Sequence, residues 1–357
     1  MKINKTMIKV TRNILILSAV LAAAAGCTKD PEVNTVDAPI TLKATEAGAT
    51  KALLDNGTFN TTGNRIQVYS YANGSYYFSD MIGPDVQGSP AAAANDDVWP
   101  FVNGPHNWTS GNHRFYGWLT KDANSNLGPE NLFGNTFNCV TANKNVYVAA
   151  FNTDTQTLTI PTTSMSPATP QFDFMYSDIF TTEPINAPVQ LKFSHLFCAV
   201  SFGIVNDASS DVRISNFNVT LCTNKKATVD YSGSTVAVNY TNTASSPTTF
   251  RTSSGGTLSG MSGGVSAMWA NAFAPADTER QYILMWPQTK AELSTCKINI
   301  TYTLNNQRYE QSLAFPEMEL NAGQKYHFDI FIADKAPIRI NYLVVDWDSI
   351  DNDVTFE

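Results

Sequence analysis

The strongest constraint on the fold is the run VQLKFSHLFCAVSFGI, from Val189 to Ile204, because its apolar residues recur with a period of two. In the first part, Val189, Leu191 and Phe193 share one face, and polar residues occupy the other. The second part is apolar on both faces, as expected of a strand in the centre of a sandwich. This pattern predicts β-structure.

Short runs of the same kind recur along the chain, and turn-forming residues separate them. Asn73-Gly74 and Asn305-Asn306 each lie between two such runs and predict hairpin turns. No long segment shows helical periodicity. The first run is Ile40 to Ala44 and the last is Ile338 to Trp347. Regularly spaced short strands with turns between them predict an all-β fold made of β-sandwiches.

The first 26 residues have the build of a secretory signal. An apolar run from Ile14 to Ala25 follows a basic end and precedes the small residues Ala25-Gly26. The run is too short for a membrane span, which needs about 20 residues. The basic end consists of Lys2, Lys5, Lys9 and Arg12.

Cys27 follows the signal directly, and the sequence AAAAGC resembles a bacterial lipobox. In a lipobox the cysteine thiol receives diacylglycerol and becomes the new N-terminus. The acyl chains would then attach the protein to the outer membrane without a spanning helix. The alternative is an ordinary cleaved signal followed by an unmodified cysteine.

The chain without its signal has 331 residues, which suits two domains. A linker-like run near residues 181–188 predicts the boundary. The predicted organisation is a lipoprotein signal peptide at 1–26, an N-terminal β-sandwich at 27–183 and a C-terminal β-sandwich at 184–357. Removing the signal removes four basic residues and no acidic one, so the net charge falls from −8 to −12. This acidic balance argues against nucleic acid as a partner.

Four cysteines follow Cys27, and none of them has the close spacing of a metal site. They could pair as disulfides in an exported protein, with three possible connectivities. Three of them lie in or beside apolar strand-like runs, which favours unpaired buried thiols. The four are Cys139, Cys198, Cys222 and Cys296.

Few residues suggest chemistry. Residues 260–264, GMSGG, match the G-x-S-x-G pattern of serine hydrolases around Ser262, but no helix follows the serine, so a flexible loop is the favoured interpretation. His106 and His113 are scattered among turns and aromatic residues, and His195 and His327 lie in predicted strands. We therefore expect no catalytic residues, no metal site and no cofactor.

Aromatic residues cluster around the first predicted hairpin and could form a platform for stacking sugars. They fit equally well a hairpin packed on the protein core. These residues are Tyr69, Tyr71, Tyr76, Tyr77 and Phe78.

Taken in order, several short blocks resemble the fimbrillin family of Bacteroidetes, the subunits of type V pili. The blocks that carry the resemblance best are Val189 to His195, VQLKFSH, and Leu320 to Tyr326, LNAGQKY. Others are AAAAGC, ITLKATEAGATKA, RIQVYSY, HRFYGW, DFMYSD and VVDW. The resemblance implies two transthyretin-like β-sandwich domains in tandem and a structural role rather than an enzymatic one.

The resemblance also implies a route of assembly. The subunit is exported as a lipoprotein, and a trypsin-like protease cleaves after a basic residue in the loop behind the first strand. Cleavage removes the lipid and that strand, and a neighbouring subunit inserts a strand in its place. Here the removable strand would be Ile40 to Ala44, and the cleaved bond would join Lys51 and Ala52. Lys43 and Arg65 are the other basic candidates, but both fall in or next to predicted strands.

Within this family the sequence leaves stalk, tip and lipid-retaining anchor roles open, and Lys51 would remain uncleaved in an anchor. The expected partners are other pilin subunits and the outer membrane through Cys27, with a host or bacterial receptor left open. Two other functions remain as alternatives. One is a monomeric surface lipoprotein that binds glycans, and the other is a hydrolase built on Ser262.

Overall fold

The fold is described from a computed structural model of the chain. The structure describes residues 37–46, 64–83, 98–121, 150–164, 174–243, 247–253, 256–258, 267–269, 283–334 and 337–346. Among these residues, no helix has the length and apolar character needed to cross a bilayer.

The described residues form 21 strands and one short helix. In chain order these are β1 Leu42–Glu46, β2 Asn64–Ala72, β3 Ser75–Ile82, β4 His113–Lys121, β5 Ala150–Asn152, β6 Thr157–Ser164, β7 Met175–Ser177, β8 Phe180–Thr182, β9 Val189–His195, β10 Cys198–Asn206, β11 Val212–Leu221, β12 Asn224–Asp230, β13 Ala237–Asn242, β14 Thr248–Ser253, β15 Gly256–Leu258, β16 Ala267–Trp269, β17 Ile283–Met285, α1 Lys290–Thr295, β18 Lys297–Leu304, β19 Gln307–Ala314, β20 Gln324–Ile332 and β21 Arg339–Asp346.

The strands form four sheets. The first has the order β1-β9-β7-β4-β2-β3, with β8 also paired to β4, and the second has the order β13-β12-β6-β5. The third has the order β16-β10-β20-β21, with β17 also on β10, and the fourth has the order β14-β11-β18-β19, with β15 also on β11. The predicted all-β fold is therefore confirmed.

Aromatic contacts show which sheets face each other. Tyr116 of β4 stacks on Tyr231, which follows β12, with ring centroids 4.2 Å apart. These two rings join the first and second sheets. Phe202 of β10 contacts Phe217 of β11 at 5.9 Å and so joins the third and fourth sheets. The core of the molecule thus lies between the first and second sheets and between the third and fourth sheets, which we call the two pairs of sheets.

The run that most constrained the sequence analysis behaves as predicted. In β9 the apolar residues Val189, Leu191 and Phe193 are buried, and the polar residues between them are exposed or half-buried; His195 at its end is buried, as is every residue of β10. The two predicted hairpins are also present. Asn73 and Gly74 join β2 to β3, Asn305 and Asn306 join β18 to β19, and all four have the positive φ of tight hairpin turns.

The predicted division between residues 183 and 184 remains a prediction, and two sheets contain strands from both sides of it. β9 lies in the first sheet between β1 and β7, and β12 pairs with β6 in the second sheet. The chain therefore enters the second pair of sheets at β10, returns to the first pair at β12, and leaves it again after β13.

A buried ion pair lies where the chain crosses from β11 to β12. The ammonium of Lys225 is almost completely buried, and it donates to Glu292 Oε2 at 2.7 Å and to the carbonyl of Pro287. Glu292 also accepts from the Thr289 amide in the capping box of α1 and from the Asn242 side chain. Strands β12 and β13 of the second sheet and helix α1 thus meet at one carboxylate.

The substitution Glu292→Ala should lower the free energy of unfolding by about 2–4 kcal/mol, because it leaves the Lys225 ammonium buried and unpaired. Burial raises the pKa of Glu292, but the hydrogen bonds from Lys225, Thr289 and Asn242 outweigh it and hold the pKa below 4.5. The contribution of Glu292 is therefore present above pH 4.5 and lost as the pH falls through the lower folded-state pKa. Urea unfolding of the parent chain and of Glu292→Ala, between pH 3 and pH 7, would measure the difference between their free energies of unfolding. We expect this difference to become smaller as the pH falls below 4.5. Glu317→Ala, at an exposed carboxylate paired with Lys290, is the matched control and should change stability little.

Candidate functional site

The first strand lies in a slot between two other segments. On one side, β1 pairs in parallel with β9, with Leu42 opposite Val189 and Glu46 opposite Phe193. The predicted strand was Ile40 to Ala44, so the observed strand is shifted by two residues toward the C-terminus. Ile40 and its neighbours are nevertheless hydrogen-bonded, on the opposite side of the slot.

That opposite side is formed by residues 98–108, which we term the cover segment. The Trp99 amide donates to the Leu42 carbonyl at 2.9 Å, and the Ile40 amide donates to the His106 carbonyl at 2.7 Å. The Trp108 amide donates to the Ala38 carbonyl at 2.8 Å. β1 and the residues before it are therefore hydrogen-bonded to two different segments, as a central strand of a sheet would be.

The cover segment is itself attached to the far strand of the first sheet. The Val102 amide donates to the Met81 carbonyl at 2.8 Å, and the Gly83 amide donates to the Pro100 carbonyl at 3.2 Å. Since β3 is the last strand of that sheet, the cover segment connects the two ends of the sheet around β1. The slot therefore has two walls that do not depend on β1 for their connection to the protein.

The side chains of the first strand alternate as the sequence predicts. Ile40, Leu42 and Ala44 are 3%, 0% and 2% exposed and point into the core, whereas Thr41 and Lys43 are half-buried. Removing this strand would uncover a row of apolar pockets and leave the peptide groups of β9 and of the cover segment without partners. An uncovered core and unpaired peptide groups are what strand addition requires.

Asp80 holds the cover segment in place. Its carboxylate is fully buried and accepts from the Asn103 amide at 3.1 Å, from Asn103 Nδ2 at 2.9 Å and from His106 Nε2 at 2.9 Å. The His106 ring also stacks on Phe78 at 3.9 Å. A single side chain of β3 thus determines the path of the residues that bond to Ile40.

The substitution Asp80→Ala should lower the free energy of unfolding by about 2–4 kcal/mol, because the hydrogen bonds that Asn103 and His106 donate to a fully buried carboxylate would be lost together. Loosening the cover segment should also make β1 easier to release. We therefore expect faster cleavage at Lys43 in limited trypsin digestion, which N-terminal sequencing of the products would measure. Asp154→Ala, at an exposed turn carboxylate, is the control and should match the parent chain. An unchanged digestion rate at Lys43 in the destabilised Asp80 variant would contradict this role.

Several predicted site residues lie outside the described residues, namely Cys27, Lys51, Ala52, Cys139 and Ser262. The two alternative cleavage positions are described. Lys43 lies in β1 and Arg65 lies in β2, which pairs with β3 and β4. Both positions are in paired strands, as predicted.

The histidines have protein partners rather than a shared ligand. His106 bonds Asp80, and His113 Nε2 bonds the carbonyl of Thr109 at 2.9 Å. Within the described ranges, no group of three or more His, Cys, Asp or Glu side chains is arranged to bind a metal ion.

His327 belongs to a hydrogen-bonded row that the sequence analysis missed. Ser201 Oγ lies 2.6 Å from His327 Nδ1, and His327 Nε2 lies 2.9 Å from Asp329 Oδ1. The parallel register of β10 and β20 places Ser201 beside His327 and Gly203 beside Asp329. A side chain at position 203 would collide with the carboxylate, since an added Cβ would lie 2.6 Å from Asp329 Oδ1. Ser201 is 0% exposed, so the row is a buried polar network whose hydroxyl cannot reach a substrate in this structure.

Two aromatic residues of the first hairpin, Tyr69 and Tyr71, pack against rings of strands β4 and β5. Tyr69 stacks on Trp118 at 5.3 Å and contacts Phe151 at 4.3 Å, and Tyr71 stacks on Tyr116 at 5.9 Å. Of the five aromatic residues, Tyr76 alone is largely exposed, at 53%. The cluster therefore fits a hairpin packed on the core better than an open sugar platform.

The last described strand, β21, differs from β1 in that two of its apolar side chains are exposed and it lies at the edge of its sheet. β21 pairs with β20 at the end of the third sheet, and no described strand pairs with its other edge. Tyr342 and Val344 are 43% and 37% exposed. With Ile340 they form an apolar row at every second residue, which is the spacing of the buried row in β1. The chain thus contains one slot for a strand and one weakly covered strand with a matching pattern.

Comparison with known proteins identifies similar chains. Residues 50–347 match the family model described as fimbrillin-like. A solved structure of a candidate cell adhesion protein from Bacteroides uniformis is similar with a TM-score of 0.50 at 14% identity, covering 87% of this chain and 100% of that one. A fimbrial protein from Bacteroides vulgatus has a TM-score of 0.49 at 14% identity, covering 86% of this chain and 99% of its own. A candidate polysaccharide-binding protein from Bacteroides thetaiotaomicron has a TM-score of 0.39 at 11% identity, covering 86% and 97%. No curated protein matches the sequence.

Proposed function

This chain belongs to the fimbrillin-like family, and on that premise we propose that it is a structural subunit of a fimbrium that assembles by strand exchange. It is exported as a lipoprotein, anchored to the outer membrane through Cys27, and released for assembly by proteolysis after Lys51. Its partners are other pilin subunits, and the filament supports adhesion of the cell to surfaces.

The observation that carries the proposal is the slot that β1 fills. Its two walls, β9 and the cover segment, present amide and carbonyl groups from both sides, and its floor takes Ile40, Leu42 and Ala44. A strand from a second subunit could replace each of these interactions. The exchange would conserve the hydrogen bonds and the buried apolar surface, so that its free energy depends mainly on how well the new side chains fit.

The position of Lys51 supports its role as the release point. It follows the end of β1 by five residues and precedes β2, so cleavage there would separate β1 from all later strands. A protease must draw its substrate into an extended conformation. Lys43 is unsuited because β1 is hydrogen-bonded on both edges, and Arg65 is unsuited because β2 lies between β3 and β4.

The donor strand in this proposal is β21 with the residues that follow it. β21 is an edge strand that exposes Tyr342 and Val344, and transfer to another subunit would exchange its ladder with β20 for a ladder with β9 of the neighbour. Because each subunit would accept at the slot of β1 and donate from β21, the contact is head-to-tail. Contacts of this kind build open filaments rather than closed rings.

No enzymatic role belongs to this proposal. The fimbrillin-like family consists of structural proteins, and the Ser201–His327–Asp329 row is buried. The packing of the hairpin aromatics likewise favours assembly over sugar binding as the main function.

The proposal is tested on the surface of the producing cell by electron microscopy combined with N-terminal sequencing of the surface form. We expect filaments whose subunits begin at Ala52. A surface form that begins at acylated Cys27 and never polymerises would overturn the stalk role and favour a lipid-retaining anchor or a monomeric glycan-binding protein. Filament subunits that begin at another residue would show that cleavage does not occur after Lys51.

A further inference from the structure

Two cysteines meet at the crossing between the two pairs of sheets. Cys222 directly follows β11, and Cys296 lies between α1 and β18. In the antiparallel ladder of these strands, Thr220 pairs with Lys297, so the next position of the ladder brings Leu221 beside Cys296. Cys222 is the following residue, so the register places the two cysteines at adjacent positions of neighbouring strands.

The surroundings hold both residues in place. The Cys222 amide donates to Gln288 Oε1 at 3.1 Å, and Gln288 Nε2 donates to the Cys222 carbonyl at 2.8 Å. Cys296 ends α1, and its amide donates to the Leu293 carbonyl at 3.0 Å. These hydrogen bonds hold both backbones in place.

The two thiols differ in access. Cys222 is half-buried, whereas Cys296 is completely buried and its Sγ donates to the Glu292 carbonyl at 3.2 Å. The hydrogen bond between the thiols lowers the pKa of Cys222 and raises the pKa of Cys296. Cys222 therefore combines the access and the acidity that an attacking thiol needs.

We infer that Cys222 and Cys296 are a redox pair that closes to a disulfide when the exported chain meets an external disulfide. Such an oxidant is a thiol oxidoreductase or oxidised glutathione. The Cys222 thiolate attacks one sulfur of the oxidant and releases its first thiol, which gives a mixed disulfide. Cys296 loses its proton and attacks the Cys222 sulfur, and the second thiol of the oxidant leaves with that proton. The protein loses two protons and two electrons, and the external disulfide takes them up to become two thiols.

The bond would tie the end of β11 to the start of β18, which are neighbouring strands of the fourth sheet. It would close a loop of 75 residues, from 222 to 296, that contains the excursion through β12 and β13 into the second sheet. The buried Lys225–Glu292 pair lies next to it. The start and the end of this excursion would then be held together by a covalent bond as well as by the ion pair.

The inference is tested on the mature chain, residues 27–357, with Cys27→Ser to prevent lipid addition. The reduced protein is treated with oxidised glutathione, its remaining thiols are alkylated, and tryptic peptides are analysed by mass spectrometry. We expect residues 214–225 and 291–297 to appear as one linked species, two hydrogens lighter than the sum of the reduced peptides. Alkylation of both cysteines after oxidation, or linkage of Cys222 to Cys139, would overturn the inference.

The order of attack gives a second readout. Cys296→Ala should accumulate a mixed disulfide with glutathione at Cys222, whereas Cys222→Ala should form none at the buried Cys296. Mixed disulfides of equal yield at both positions would contradict the assigned roles.

Thermal unfolding shows whether the bond fastens the fold. Reduction should lower the midpoint of the oxidised protein by about 5–15 °C, a shift that the double variant Cys222→Ala/Cys296→Ala should lack. Cys198→Ala is the matched control, because its buried thiol bonds the Met285 carbonyl instead and its loss should leave the response to reduction intact. A loss of the response in Cys198→Ala would contradict the pairing. None of these measurements requires assembly, so a chain that forms the bond but no filament would refute the proposed function alone.

Discussion

A chain that begins at Ala52 should form filaments, whereas the chain that keeps β1 should remain a monomer. The truncated chain lacks Ile40 and Leu42, and burying each of these side chains contributes about 1.5–3 kcal/mol. It also loses every hydrogen bond that β1 makes to β9 and to the cover segment. A strand from a neighbour restores both contributions, so association should be strongly favoured over an open slot.

The measurement is negative-stain electron microscopy together with light scattering on both chains at equal concentration. A synthetic peptide of residues 37–46 should block filament growth by refilling the slot. The same peptide with Leu42→Asp should not block it, because the slot would have to bury a carboxylate. If the chain that begins at Ala52 stays a folded monomer as stable as the longer chain, β1 is dispensable and strand exchange is refuted.

Protease treatment of the longer chain tests independently whether removal of β1 starts assembly. Trypsin should convert it into the assembling form, and Lys51→Gln should prevent that conversion. Lys43→Gln is the matched control and should assemble normally after digestion, since Lys43 is protected within β1. Assembly that is unaffected by Lys51→Gln would indicate cleavage at another position.

Local pattern was sufficient to predict the longer strands with clear alternation, but not the short strands β14 and β15, which lie in a run rich in Ser, Thr and Gly that predicts a loop. The alternation of Val189, Leu191 and Phe193 is the alternation of burial in β9, and the asparagine turns occur where predicted. The six-residue helix α1 was missed, because its signal is only the capping box formed by Thr289 and Glu292. So short a helix has no apolar periodicity that a sequence pattern could reveal.

Long-range placement could not be predicted from single segments. The sequence suggests a removable strand near Ile40, but contains no local sign that residues 98–108 would cover its far edge. Asp80, Asn103 and His106 come together only because β3 carries that segment back to β1. The same holds for Ser201 and His327, which are 126 residues apart and meet through the parallel register of β10 and β20.

Substitutions in the donor strand β21 should affect filament formation as strongly as removal of β1 from the slot. In the chain that begins at Ala52, Tyr342→Asp together with Val344→Asp should abolish filaments and leave the folded subunit nearly as stable as before. Both side chains are exposed in β21, and exposed substitutions of this kind cost about 0.5 kcal/mol or less. In the slot of a neighbour the same two positions would face the apolar core, where an unpaired carboxylate costs several kcal/mol, on the order of the whole gain from insertion.

The control is Asn341→Asp, which adds a charge on the opposite face of β21 and should preserve assembly. The double variant should still accept a strand at its own slot, so small amounts of it should stop the growth of parent filaments in mixtures. If the double variant assembles like the parent chain, β21 is not the inserted strand.

A chain that ends at Asp346 would then test residues 347–357, since loss of filaments in that chain alone would place the donor in the final eleven residues. Head-to-tail growth thus requires two apolar rows, an exposed one in the donor strand β21 and a buried one in the strand that fills the slot of β1. Each row can be changed by substitution without changing the other.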